Sequence, residues 1–475
     1  VSRAGAKKML DEYRDLTAAA DLVLTGGPVH TVDRADRVAE AVAVSGGRVT
    51  RVGTADDVAP LIGRGTRVIR LRGRSVLPGI NDSHLHGVWL GALWPNLLMD
   101  QLADAGGGDG HHGGPGPAVR LETGEQRRRA IARTGELLAP LGVTSYTEPG
   151  LGPGEDHGAT GCFGSAALHD YADLAARGEL RARVTALLLF GELDGPSTAP
   201  DLLQGLRAFQ APAEVPGWFR VAGVKIFADG IPPMRSAWTE EPYPDGSHGR
   251  LLVEGASDAE REAALVSMID AAHAAGHQIG VHATGGRATR VVADALAAAR
   301  ARDGRDARHY LIHGDLLHPR TLAVMAASGS GLNTQPGIAA ATAGMLAGAL
   351  GPDALTHAWP TRDALAAGVR LCLSSDAPVL TPDWRAGLAA AVTRRGLDDT
   401  VRGPEQRLTV AQALRAYTVG AAWQDGAEDW KGSLEPGKVA DLCVLEADLL
   451  QTEARALPSV PVALTVVDGR VVHEA

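Results

Sequence analysis

Between residues 76 and 376 the chain repeats one arrangement. A short, almost wholly apolar run is followed by a longer stretch rich in Ala, Leu and Arg. The candidate strands, most of them mainly apolar, are 76–83, 143–148, 183–190, 221–229, 278–283, 309–314, 331–335 and 370–376. Runs of this length without polar alternation predict strands buried on both faces. The clearest helix between them is 257–275: Ser257 and Asp258 suit its start, Glu260 and Glu262 its first turn, and Gly276 its end. Stretches 288–301, 319–327 and 361–367 read the same way. Eight buried strands alternating with helices predict an α/β fold of the (β/α)8 barrel type. The competing architecture is a doubly wound open sheet, and it is weakened because no GxGxxG follows the first strand.

Both chain ends have a different texture. After a helix-like leader, 41–44 and 48–52 flank Ser45-Gly46-Gly47, and near the other end 462–467 and 470–473 flank Asp468-Gly469. These are hairpin signatures. Neither end carries enough apolar residues for a core of its own, so residues 1–75 and 430–475 are expected to pair into one small composite β-sandwich. Residues 76–429 are expected to form the barrel.

Composition narrows the classes of function. The chain has 475 residues, 45% of them hydrophobic, and a net charge of -10 from 46 basic and 56 acidic side chains. No Lys/Arg block stands out, which argues against a nucleic-acid partner or an anionic membrane surface. Three scattered cysteines, Cys162, Cys372 and Cys443, make neither a disulfide framework nor a CxxC site. With no apolar leader or span, cytoplasmic residence is the default expectation. His111-His112 lies in the Gly/Pro-rich stretch 106–117 and reads as a loop, a candidate lid, rather than a ligand pair.

The remaining chemistry gathers at the ends of the predicted strands, which is where a barrel keeps its functional groups. His84 and His86 close the first strand two residues apart, so on a regular strand both imidazoles face one way, as half of a divalent metal site. Asp82 shares the parity of His84 and could orient a ligand. Lys225 sits in the apolar run Val221-Ala222-Gly223-Val224-Lys225-Ile226-Phe227. A buried lysine needs a partner or a change of charge. Two readings stay open for it: an ion pair with Asp229 or Glu148, or a carbamate that bridges two metals. His282, His313 and Asp376 each close a later run. Asp376 can both bind metal and carry a proton. Arg235, Tyr243 and Trp89 follow strands and are candidate pocket-lining residues.

The segments Pro78-Gly79-Ile80-Asn81-Asp82-Ser83-His84-Leu85-His86, Val224-Lys225-Ile226-Phe227-Ala228-Asp229-Gly230, His282-Ala283-Thr284-Gly285-Gly286-Arg287-Ala288, His313 and Ser374-Ser375-Asp376-Ala377-Pro378 together resemble the metal-dependent amidohydrolase superfamily. Within it, the chain looks like the branch of the N-substituted formamide deformylases. The tail Lys431-Gly432-Ser433-Leu434-Glu435-Pro436-Gly437-Lys438-Val439-Ala440-Asp441-Leu442 carries the same resemblance. It implies the barrel with its composite sandwich and favours the carbamate at Lys225. The expected cofactors are two divalent ions, zinc by preference and iron or manganese as alternatives. His84, His86 and Asp376 would hold one, His282 and His313 the other, with carbamylated Lys225 and a hydroxide bridging them. The expected reaction is hydrolysis of a non-peptide carbon–nitrogen bond in a small amide-like substrate, an N-acyl or N-formyl amide. A mononuclear deaminase or cyclic-amide hydrolase, and a non-catalytic barrel scaffold, are the alternatives. Self-association into a homo-oligomer is left open. The chain departs from the branch at Gly286, where Asp is common, and at Ile312, where Glu is.

Overall fold

The computed structural model describes residues 19–100 and 119–475. The leader and the loop at 106–117 with His111-His112 lie outside the described residues. Among those described, sixteen strands form two sheets: β1 (Leu22–His30), β2 (Val38–Ser45), β3 (Arg48–Gly53), β4 (Arg67–Arg70), β5 (Ser75–Pro78), β6 (Ile80–Asp82), β7 (Val143–Leu151), β8 (Arg183–Leu189), β9 (Phe219–Phe227), β10 (Gln278–Ala283), β11 (Tyr310–His313), β12 (Gly331–Thr334), β13 (Arg370–Leu373), β14 (Leu442–Leu445), β15 (Val462–Val467) and β16 (Arg470–Glu474).

The first sheet is built from both chain ends, in the order β16-β15-β14-β5-β1-β2-β3, with β4 added on β1. Its strands alternate. Leu22, Leu24, Val42 and Val44 share one buried cluster with Leu442, Val444, Leu464 and Val466, while Val23, Ala41 and Ala43 pack on Val58 and Leu61. The two chain ends thus combine as expected, in one continuous sheet whose apolar face both ends share. Both predicted hairpins are present, and their turns Gly46-Gly47 and Asp468-Gly469 all have positive φ, as tight two-residue turns require.

The second sheet is parallel throughout, in the order β13-β12-β11-β10-β9-β8-β7-β6, a nearly closed (β/α)8 barrel. Helices cover it where the spacing predicted them. Asp258–Ala274 starts at Ser257, whose side chain accepts from the Glu260 N–H, and Pro319–Ser328 and Thr361–Ala367 follow. The gap between β6 and β13 is bridged by side chains. Ser83 Oγ donates to the Leu373 carbonyl at 3.0 Å, and the Ser375 N–H reaches Asp82 Oδ1 at 3.0 Å. Asn333 Nδ2 donates to the Ser83 carbonyl at 2.9 Å.

The run 76–83, predicted as one strand, is divided between the two sheets. Pro78 ends β5, Gly79 turns, and β6 begins at Ile80. A Cβ at Gly79 would stand 2.2 Å from Thr144 Oγ1, so the turn needs glycine. The chain separates into two compact units: Val1–Ile80, Leu138–Thr144 and Ala427–Ala475 in one, Asn81–Leu137 and Ser145–Gly426 in the other. No helix among the described residues is long and apolar enough to cross a membrane.

Candidate metal centre

The predicted ligands come together at the C-terminal ends of the barrel strands. Lys225 lies on β9, His282 on β10, and His313 is the last residue of β11. His84 and His86 lie beyond the end of β6, since that strand stops at Asp82 rather than running on through Ser83. Strand parity therefore does not aim them. The Asp82 carboxylate instead accepts from the His84 N–H at 3.4 Å, and His86 starts the helix Gly87–Leu93. Asp376 follows β13 by three residues and has φ +58, while His313 has φ +72. Both are left-handed conformations unusual outside glycine, and here each turns the chain sharply where a functional group leaves the barrel.

The cluster is compact. Asp376 Oδ1 lies 3.2 Å from His84 Nε2 and 3.4 Å from His86 Nε2. The ring centroids of His84 stand 5.3 Å from those of both His86 and His313, and His282 and His313 are 4.4 Å apart. One ligand atom each from His84, His313 and Asp376 fit within 4.8 Å of one another.

Burial sets the protonation of these groups. It drives His84 down to about 4 and His282 down to about 3, each reinforced by the neighbouring Lys225 charge. His313 is pushed well below the ordinary histidine value, by burial first and by His282 second. Burial also opposes charge on His86, but the neighbouring Asp376 and Glu148 carboxylates outweigh it and lift the imidazole to about 9. Burial alone would raise Asp376. Interaction with His84, with hydrogen bonds from His84 and His86, overcomes it and holds the carboxyl well below its usual range. Three neutral imidazoles facing an ionised carboxylate are what a divalent cation requires of its ligands.

The hydrogen bonds select the nitrogens. His313 Nδ1 donates to Gln335 Oε1 at 2.7 Å, and Gln335 Nε2 is committed to Asn333 Oδ1 and Ser374 Oγ. The lone pair of His313 is therefore on Nε2. His282 Nε2 donates to the Gly230 carbonyl at 3.2 Å, leaving its lone pair on Nδ1. The Nδ1 atoms of His84 and His282 are buried without a hydrogen-bond partner. Buried unpaired acceptors are costly, and a cation is the partner that would satisfy them. The donor set fits a metal.

Lys225 is 2% exposed, and its Nζ lies 4.5 Å from the Phe227 ring centroid with no hydrogen bond or ion pair among the described residues. Burial brings it down to about 8, against the pull of Asp376 and Asp194. The two partners considered for an ion pair are both engaged elsewhere. Asp229 accepts from the N–H groups of Trp238, Thr284 and Gly285, and Glu148 accepts from Gly87, Val88 and Tyr171.

The candidate pocket residues separate. Trp89 is half-buried beside the cluster, its ring 6.2 Å from that of His86 and 5.4 Å from that of Phe163. Arg235 is exposed, 3.6 Å from Asp245, and Tyr243 is buried with its hydroxyl donating to the Ala237 carbonyl. Neither shares a hydrogen bond or ion pair with the histidines. Sequence reasoning passed over Gln335 and Phe163 and weighed Glu148 only as a lysine partner. Gln335 immediately follows β12 and Glu148 lies on β7, so the strand-end rule that found the ligands marks them too.

Comparison with known proteins places the chain in a family. Residues 108–473 match the model of the "Amidohydrolase family". The N-substituted formamide deformylase of Arthrobacter pascens is 24% identical over 556 aligned residues, covering 97% of this chain and 99% of the relative. An uncharacterized metal-dependent hydrolase from Pyrococcus furiosus superposes with a TM-score of 0.70 at 22% identity, covering 90% of this chain and all of that one. A Xaa-Pro dipeptidase crystallised with methionine in its active site shares the fold at a TM-score of 0.62 and 16% identity, covering 96% of this chain and 100% of that one. The chain belongs to the amidohydrolase family.

Proposed function

We propose that the chain hydrolyses a non-peptide carbon–nitrogen bond of a small amide-like substrate, an N-formyl or N-acyl amide. The observation that carries this reading is the set of neutral imidazoles with free lone pairs around the ionised Asp376. The resemblance to a formamide deformylase along nearly the whole chain supports the substrate class. His84, His86 and Asp376 would hold one divalent ion and His282 and His313 a second, with Lys225 bridging them as its carbamate. Zinc suits imidazole donors, and iron or manganese would also serve. Bound there, the ions supply a Lewis acid for the scissile carbonyl and a water acidified to near-neutral pKa.

The chain's own residues account for the rest. The neutral Lys225 amine adds to the carbon of CO2 and releases one proton, which turns an unfavourable buried cation into an anionic ligand. Asp376 Oδ1 takes the proton of the attacking water and returns it to the leaving nitrogen. Because the site holds this carboxyl ionised, it is ready as a base. Gln335 and the Gly230 carbonyl keep His313 and His282 in the tautomers that face inward. Trp89 and Phe163 offer an apolar wall for the part of the substrate that does not react.

Metal analysis and a screen of N-formyl and N-acyl amides test the reading. Two ions per chain and turnover that Asp376→Asn abolishes are expected. Failure to bind metal after reconstitution with zinc, iron and manganese would overturn it. One ion with an unmodified Lys225 would favour a mononuclear deaminase or cyclic-amide hydrolase. The observation on that side is the single three-ligand group of His84, His313 and Asp376 among the described residues.

A further inference from the structure

Glu148 Oε1 and His86 Nδ1 are both buried, both lack a hydrogen-bond partner, and face each other 3.5 Å apart. Glu148 is 0% exposed, at the end of the predicted second barrel strand. Its other oxygen, Oε2, is held from three sides: the Gly87 N–H donates at 2.5 Å, the Val88 N–H at 3.2 Å and the Tyr171 hydroxyl at 2.8 Å. Tyr171 in turn receives the Tyr146 hydroxyl at 3.0 Å. A Cβ at Gly87 would meet those two hydroxyls at 2.6 and 2.8 Å, so this close approach depends on glycine. Three donors on one oxygen leave the carboxylate a single orientation, with Oε1 towards the His86 ring.

We infer that Glu148 is a positioning residue: it accepts the Nδ1 proton of His86 and so presents the Nε2 lone pair to the metal centre. This rests on the metal-centre reading proposed above. A separation of 3.5 Å is longer than a normal hydrogen bond, and catalytic contacts of this kind commonly tighten in the working complex. The opposite nitrogen, Nε2, already faces Asp376 Oδ1 at 3.4 Å. A carboxylate behind a ligating imidazole fixes its tautomer and raises its basicity, and losing such a partner weakens metal binding roughly 10- to 100-fold. The same carboxylate also takes up two N–H groups at the start of the Gly87–Leu93 helix. One side chain therefore ties the position of the His86 backbone to the orientation of its ring.

A merely structural role is the competing explanation, and Glu148→Gln separates the two. The amide oxygen of Gln can still accept from Gly87 and Val88, which turns its NH2 towards His86 Nδ1. That nitrogen would then have to accept, and the ring proton would move to Nε2. In the variant, 15N NMR of the ring in alkaline buffer, where the imidazole is neutral, should show this change of tautomer. Competition against a chromophoric chelator should show zinc affinity reduced roughly 10- to 100-fold. Thr134→Val is the control. Thr134 Oγ1 donates to the Gly87 carbonyl at 2.6 Å, so its loss loosens the same helix start without touching the carboxylate. It should leave zinc affinity unchanged. Equal weakening in both variants would overturn the inference, as would a wild-type His86 that carries its neutral-state proton on Nε2. That last measurement needs neither a folded variant nor bound metal. If the wild type bound no metal, the proposed function would fall while the tautomer still decided the role of Glu148.

Discussion

Replacing Lys225 by Met is expected to make the metal-free protein more stable and to abolish its activity. Lys225 is buried within an apolar strand and has no ion-pair partner among the described residues. Burial lowers its pKa from 10.5 to about 8, so folding with the charged side chain costs on the order of 3 kcal/mol. The folded value lies below the unfolded one. The penalty is therefore complete below pH 8 and disappears as pH rises from 8 to 10.5. Met has similar length and fills irregular apolar space without a charge. The contact with the Phe227 ring returns up to about 2 kcal/mol to the wild type. A net gain of about 1–3 kcal/mol is therefore expected for Lys225→Met near neutrality. Urea unfolding in CO2-depleted, metal-free buffer measures it. The variant should unfold at higher urea near neutrality, and the two curves should converge in alkaline buffer. Added bicarbonate should raise the midpoint of the wild type alone, because only the wild type can form the carbamate. A variant that is less stable at neutral pH, or a gap that does not change with pH, would mean that the lysine is paired in the folded protein and that this reasoning is wrong.

Three further outcomes follow from the geometry. His309 accepts from the Ile279 N–H at 3.0 Å and contacts His273 at 2.7 Å, and burial pushes it down to about 3. A lowered histidine value means stability that is present above 6.5 and lost as pH falls. At pH 5 this group alone costs about 2 kcal/mol, and a urea midpoint that stayed flat from pH 6.5 to 4 would refute it. At Gly91, a Cβ would stand 1.9 Å from the Ala130 carbonyl oxygen, where the Gly87–Leu93 and Gly124–Leu138 helices meet. Gly91→Ala should cost about 1–3 kcal/mol in thermal unfolding, and an unchanged Tm would contradict the contact. Chelation should stop turnover and readdition of zinc restore it, whereas His84→Ala should stay inactive when metal is added back; full activity in that variant would remove His84 from the centre.

The barrel was legible because its signal is local. Most of the buried strands are short, mainly apolar runs, and the helices between them carry their own caps, as Ser257 and Gly276 do for Asp258–Ala274. The division of 76–83 was not legible for the opposite reason. Pro78 and Gly79 do not interrupt the apolar pattern. What forces the turn is Thr144 pressed against Gly79, a contact between residues far apart in sequence. Ligand convergence was predicted by an argument whose geometry proved different. His84 and His86 meet the cluster because Asp82 and the helix start at Gly87 turn the chain, not because a strand continues.

The lysine illustrates what sequence can and cannot settle about a site. A charged residue in an apolar strand announces a conflict, but its resolution depends on partners that only the fold can supply. Here the fold commits both nearby candidates elsewhere: Asp229 to the loop before Trp238 and the turn at Thr284-Gly285, and Glu148 to the start of the Gly87–Leu93 helix. It leaves Lys225 near the imidazoles of His84, His282 and His313 and the carboxylates of Asp376 and Asp194. An amine brought to about 8 is neutral in a substantial fraction of molecules at physiological pH, whereas one at 10.5 is almost wholly charged. On the proposed function, the same burial that makes the lysine a liability for the metal-free fold is what would make it reactive towards CO2. Folding cost and chemical competence come from one environment, so any substitution that relieves the first is expected to remove the second.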